Sequence, residues 1–429
     1  MVRAEFARRR KGGKQVLSVS KIRDDIAAGR DSAEAAIARS RRAIAEGDGA
    51  LHAFTALAAE DAPVATIGPL AGIAVGVKDI FDTSDLPTEY GTPLYAGFRP
   101  LADAPIVAMT RAKGGHVIGK TATTEFAFLN PTVTVNPHDP AHTPGGSSSG
   151  SAAAIAAGMI PAGFGTQTGG SVIRPAAYCG IAGFKPSFRL MPTGGMRTFA
   201  WTLDTTGFFA ASVKDVALFA ALVSGRDLTA EALQTPPRIG LYRSAIWNEA
   251  SAAMRDAVET AADIAAKAGA QVVAIDEPPQ LSRARDIHAL IQNYEAAISF
   301  GHELAHHADR LSPILRETLE EGRTITPAQY DEGRRAARHA RKVATELFGE
   351  VDMLLTPSAP GAAPRSLETT GSALFNKLWT LTGNPSLNVR GLTDAAGMPL
   401  GLQAIGRFGR DKTVLQAAHW LERAIEARI

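Results

Sequence analysis

Residues 143–187 leave the chain few folding options. They read TPGGSSSGSAAAIAAGMIPAGFGTQTGGSVIRPAAYCGIAGFKPS. One run of small residues is Gly145-Gly146-Ser147-Ser148-Ser149-Gly150-Ser151, and a second is Thr166-Gln167-Thr168-Gly169-Gly170-Ser171. Between them SAAAIAAGM predicts a small-residue helix stopped by Gly158, and an apolar passage after it predicts a buried strand. The order is therefore loop, helix, strand, loop. Small residues let two such loops approach each other and let backbone N–H groups point at one spot. A glycine pair directly before a serine leaves several amides free to hold an oxyanion. A phosphate-binding loop would need GxxxxGK[ST], which residues 143–187 lack, and a linker would not contain so apolar a helix.

Elsewhere short apolar strands alternate with helical stretches. Ser32 predicts the cap of a helix ending at Gly47, and residues 105–121 read helix then strand. Residues 238–276 read strand, helix, strand, with Gly269 past the helix end. The segment 283–348 is nearly all helical, residues 353–356 and the pair SLNVRGL and PLGLQAIG read as strands, and Asp411 predicts the cap of a last amphipathic helix. This alternation predicts an α/β fold over 16–429, one large domain with a central mixed β-sheet covered by helices on both faces. Residues 1–15 carry Arg3, Arg8, Arg9, Arg10, Lys11 and Lys14 against Glu5 and read as a basic, disordered tail.

Composition removes several function classes. A chain that is 45% hydrophobic and 21% charged buries a sizeable core. With 45 Lys+Arg against 43 Asp+Glu, bulk charge gives no grip on nucleic acid. No stretch has the roughly 18 uninterrupted apolar residues of a membrane span. The lone Cys179 allows no internal disulfide and no cysteine metal cluster, which fits a cytoplasmic protein.

Serine chemistry needs a base. The histidines nearest the loops, His138 and His142, sit in a Pro-rich turn, which argues against a Ser–His–Asp triad. The better candidate is Lys78. In GIAVGVKD, Ile73, Val75 and Val77 share one strand face and Ala74, Gly76 and Lys78 the other, and both faces are apolar or small. Lys78 thus emerges where charged side chains are normally excluded, and desolvation lowers a lysine pKa from about 10.4 by up to several units. The plainer reading has Lys78 snorkel to solvent or pair with Asp79 or Asp82.

The stretch 143–187 resembles the signature of the amidase signature enzymes. GVKDIFDT at 76–83, GKT…EFA at 119–127, and the late TGNPSLNV and LGLQAIGR extend the resemblance over residues 16–429. It implies a Ser–Ser–Lys catalytic unit of Lys78, Ser147 and Ser171, the central serine following a cis peptide, with the 24-position gap between the serines that is the family's spacing. It also implies an oxyanion hole from the N–H groups of Thr168, Gly169, Gly170 and Ser171, and no metal or organic cofactor. Two positions depart from the usual pattern: Gln167 stands where most members have an acid, and Ile173 where most have arginine. The arginine comes one place later, as Arg174, which is similar to the malonamidase-like branch, where that residue receives a substrate carboxylate. The alternative reading has Arg174 brace the loop by pairing with a protein acid.

Four other signals have weaker readings. His302-Glu303-Leu304-Ala305-His306 is a literal HExxH, with Glu317, Glu320 or Glu321 as third ligand in a zinc hydrolase; a solvated helix face is the plain alternative. Gln292, Asn293 and Tyr294 lie on a helix in the stretch that lines the cleft in related enzymes, with Gln292 the substrate-contact candidate. Cys179 and Lys185 read as structural. The expected protein is an amidohydrolase acting on a small, carboxylate-bearing amide, without nucleic-acid or membrane partners and with a homodimer left open. The nearest alternative is an amidase-type subunit of a glutamine-dependent amidotransferase.

Overall fold

The computed structural model describes residues 16–428; the basic tail expected over 1–15 lies outside them. Among the described residues eleven strands form one sheet: β1 (Phe54–Leu57), β2 (Ala74–Lys78), β3 (His116–Thr121), β4 (Ala162–Gln167), β5 (Ala182–Lys185), β6 (Thr205–Ala210), β7 (Arg238–Arg243), β8 (Gln271–Asp276), β9 (Met353–Pro357), β10 (Ser386–Thr393) and β11 (Pro399–Ile405). Their order is β1-β3-β2-β4-β6-β5-β10-β11-β9-β7-β8. β2 runs parallel to β3 and β4, and β7 parallel to β8 and β9, while β4–β6 and β10–β11 are antiparallel. The sheet is therefore mixed.

Strand alternation divides the core between the two faces of this sheet. On β6, Phe208 joins a cluster with Val75, Val77, Phe164 and Phe219, whereas the adjacent Phe209 joins one with Ile37, Ala153, Ile155 and Ala176. Phe219 belongs to the helix Val213–Ser224; the second cluster draws on the helices Ala33–Leu51, Ser149–Ala156 and Ile173–Cys179. Helices thus cover both faces, as the alternation predicts. Helix 149–156 has to be built of small residues because it presses on backbone: a Cβ at Gly150 would lie 2.1 Å from the Ala53 carbonyl oxygen and 2.4 Å from the Ala122 nitrogen.

Two element ends differ from expectation. The helix capped by Ser32 continues past Gly47 to Leu51 and stops at His52, which takes the left-handed conformation (φ 56°). Gly47 is buried within the helix, and Asp48 accepts from the Ala53 and Phe54 N–H groups, so the turn is built after it. Asp411 is the first residue of the last helix and does not cap it; its carboxylate accepts from Ser187 N (2.7 Å) and Ser187 Oγ (2.6 Å). No helix among the described residues is long and apolar enough to cross a membrane.

Candidate active site

β2 is buried at every position, and Lys78 at its C-terminal end is fully buried. Its Nζ lies 2.7 Å from Ser147 Oγ and 2.7 Å from Thr166 Oγ1. Asp79 is not its partner, because that carboxylate pairs at 2.9 Å with the buried Lys120 on β3. Asp82 accepts from Tyr90 Oη. Burial pushes the Lys78 amine well below the ordinary lysine range; the negative charge of Asp204 opposes this and Arg174 adds to it. Thr166, which sequence reasoning gave no role, is the second hydroxyl that fixes the amine.

Two sets of contacts lock the loops together. The Gly146–Ser147 peptide is cis, as the resemblance implies, and the Gly146 carbonyl accepts from Arg174 Nε (3.2 Å) and Nη2 (2.7 Å). Arg174 Nη1 donates to the Gly371 carbonyl at 2.5 Å, and Thr166 N donates to Ser148 Oγ at 3.3 Å. Arg174 is 2% exposed and braces the loop through carbonyls; among the described residues it pairs with no acid. Burial lowers its pKa to about 10, so it stays charged at neutral pH.

The second loop is anchored from outside. Thr168 Oγ1 donates to Asp204 Oδ1 (2.6 Å), and the Thr168 carbonyl accepts from Nε2 of the fully buried His288 (2.8 Å). That acceptor sets the His288 tautomer, and burial pushes its pKa down to about 4, so the ring is neutral. Thr380 Oγ1 donates to the Gly169 carbonyl at 2.8 Å. Gln167 Oε1 accepts from Val172 N and Ile173 N, and its Nε2 donates to Thr380 Oγ1. A neutral amide therefore accepts as a carboxylate would and also supplies a donor. With the carbonyls tied back, the N–H groups of Thr168, Gly169, Gly170 and Ser171 have no acceptor among the described residues. A preformed anion cradle needs such free donors.

Gly170 has no room for a side chain: a Cβ would stand 2.4 Å from Asn376 Oδ1 and 2.8 Å from Ala373 Cβ, whereas at Gly169 nothing comes nearer than 3.8 Å. Gly170→Ala is expected to cost on the order of 1–3 kcal/mol by overpacking and to reduce turnover. Gly169→Ala is expected to leave the melting temperature nearly unchanged, and thermal unfolding of both variants checks the contrast.

Thr168, Gly169, Gly170, Ser171, Arg174 and Gln292 line a cavity of about 210 Å³ with Phe128, Phe199 and Lys377. Of the three predicted cleft residues only Gln292 reaches it. Asn293 hydrogen-bonds Glu321, and Tyr294 stacks on Tyr330 at 4.2 Å between ring centroids. Ser171 is 7% exposed in this wall, and no hydrogen bond joins it to Ser147 among the described residues. Lys377, on the helix Leu374–Leu381, escaped the sequence reading; burial and the nearby Arg174 both lower its pKa. The wall contains no carboxylate.

The HExxH stretch builds something else. Glu303 is buried and accepts from Tyr95 Oη (2.6 Å) and from Arg197, while His302 and His306 are exposed. Among the described residues no three His, Cys, Asp or Glu side chains are grouped as a metal would require. Cys179 is buried with its thiol pushed upward by burial, and Lys185 donates to the Pro186 carbonyl; both are structural, as read.

The chain is 31% identical to a glutamyl-tRNA(Gln) amidotransferase subunit from Rhodopirellula baltica, over 95% of this chain and 96% of that one. It is also 31% identical to a putative amidase AmiD from Mycobacterium bovis, over 85% and 84%. The solved peptide amidase from Stenotrophomonas maltophilia superposes with a TM-score of 0.78 at 26% identity, covering 96% of this chain and 97% of that one. The amidase family model matches residues 33–415, from the first long helix into the last. That span takes in every element that builds the cavity, and the chain belongs to the amidase family.

Proposed function

We propose that this protein hydrolyses the C–N bond of a small carboxylate-bearing amide through an acyl intermediate on Ser171. The observation that carries the reading is a buried lysine bonded to two hydroxyls, beside a cavity that holds a serine and two cations. A neutral Lys78 takes the Ser147 proton as Ser147 takes that of Ser171, and Ser171 Oγ attacks the amide carbonyl. The N–H groups of Thr168, Gly169, Gly170 and Ser171 hold the developing oxyanion, each such donor being worth about 2.7–4 kcal/mol. The leaving nitrogen recovers a proton through Ser147 and departs as amine. Water then attacks the acyl-serine, passes a proton back along the same route, and frees the acid. No cofactor enters.

Arg174 and Lys377 supply the reason for an anionic substrate. Two cations on a wall without a carboxylate favour a ligand that brings its own negative charge. Lys377→Met is expected to raise KM about tenfold or more for amides with a terminal carboxylate, as loss of one charged hydrogen bond would, and to leave neutral amides of equal length unchanged. Equal effects on both would remove Lys377 from substrate binding. Arg174 is the poorer test, because it also holds the Gly146 carbonyl.

A second reading, a component of an amidotransferase that takes ammonia from glutamine, is favoured by the likeness to the Rhodopirellula protein. Glutamine carries an ammonium as well as a carboxylate, and this wall offers that ammonium no acid. The deciding experiment assays the purified chain alone on monoamides of short dicarboxylic acids, matched neutral amides and glutamine. Turnover led by the acid monoamides supports the amidase reading. Turnover of glutamine only when a partner protein is added supports the second.

A further inference from the structure

A second cavity, of about 230 Å³, opens beside the helix Pro327–Glu346. Leu203, Ile291 and Leu381 give it apolar walls, and Arg189, Arg334, Arg338 and Arg341 supply its charge. Arg334, Arg338 and Arg341 recur at i, i+4 and i+7, so one helix face aims all three the same way. None of the four forms an ion pair among the described residues. Arg334 Nη1 donates to Tyr330 Oη (2.8 Å), Arg341 Nε donates to the Thr382 carbonyl (2.7 Å), and Arg189 lies over the Phe188 ring. The Arg338 side chain is exposed and has no hydrogen bond among the described residues. The adjacent carboxylate, Glu295, already accepts from Thr202 N, Thr202 Oγ1 and Tyr330 Oη. Four guanidinium groups thus share one cavity against one occupied acid. Burial and the charge of Arg334 both lower the Arg341 pKa, the direction expected for cations crowded without a counterion.

We propose that this cavity binds the phosphoryl group of a small phosphate monoester, its dianion held by Arg334, Arg338 and Arg341 and its apolar part against Leu203, Ile291 and Leu381. Planar guanidinium forks approaching from successive helix turns suit the several oxygens of a phosphoryl group better than one carboxylate. Two charges on the ligand also neutralise more of the surplus than one.

Titration calorimetry with phenyl phosphate, and with benzoate as the carboxylate control, tests this. One saturable site with a Kd below about 1 mM, a binding free energy of about −4.1 kcal/mol or better, is expected for phenyl phosphate. Benzoate is expected to bind at least tenfold more weakly. Arg338→Gln, which breaks no hydrogen bond of the fold, is expected to weaken phenyl phosphate at least tenfold with an unchanged circular dichroism spectrum; Arg341→Gln is a second variant. Lys377→Met is expected to leave this binding intact, which separates the site from the cations of the first cavity. Absence of saturable binding, equal affinity for benzoate, an unchanged Kd in Arg338→Gln, or loss of binding in Lys377→Met would each overturn the proposal. Binding of single-stranded RNA without phenyl phosphate would overturn it in favour of a nucleic-acid surface.

Discussion

Ser171→Ala is expected to lower amide hydrolysis by on the order of 10⁴-fold or more while leaving the fold intact. The hydroxyl lines an open cavity and makes no hydrogen bond to Ser147, so its removal strands no buried partner. The N–H groups that face the carbonyl belong to the backbone and survive the change. Some acceleration over water therefore remains from binding and the oxyanion cradle. Unaltered circular dichroism with loss of turnover, and loss of the mass increment left by a fluorophosphonate serine label, would together locate the nucleophile. A variant that still turned over at the wild-type rate, or still took the label, would move it elsewhere.

The other large effect is expected at Lys78. Lys78→Met removes the base and should cut kcat by about 10²–10⁴-fold, the range for a positioned general base. It should also raise the melting temperature at neutral pH, which loss of an ordinary buried contact would not do. The sign follows from linkage: the unfolded chain holds a proton on this amine up to about pH 10.4, whereas burial lowers the pKa of the folded amine well below that. The unfolded state thus binds more protons between the lowered folded pKa and that limit, and wild-type stability rises with pH across the window. The advantage of the methionine variant should therefore shrink as pH approaches the upper limit. In the wild type, kcat/KM should fall tenfold per pH unit once pH drops below the folded pKa of Lys78.

Local patterns carried much of this site in the sequence. The two glycine–serine runs stand beside a strand apolar on both faces, and the alternation of that strand already puts Lys78 in a dry place. The helix–strand order over 143–187 likewise survives intact in the structure. What escaped were partners supplied by distant segments. Asp204 and His288 clamp Thr168 from β6's approach and from the helix Pro279–Ser299, and no periodicity near either residue indicates that contact. Lys377 sits in LFNKLWTL, an ordinary amphipathic pattern, and only the packing of that helix on the second loop turns it toward substrate. The HExxH match, whose zinc reading is the weaker of its two, is explained by the same kind of distant partner. Its glutamate is spent on Arg197 and Tyr95, residues more than a hundred positions away in sequence. Asp411 repeats the lesson, because Ser187 claims a carboxylate that local rules assign to a helix cap.

The most direct test is an NMR titration of the Lys78 side chain in protein carrying isotope-labelled lysine, with Lys78→Met to assign the signal. The account predicts an amine that is uncharged at neutral pH and titrates far below the lysine range of about 10.4, at the same pH as the acid limb of kcat/KM. A Lys78 signal that stays protonated up to that range while the enzyme is active would contradict it.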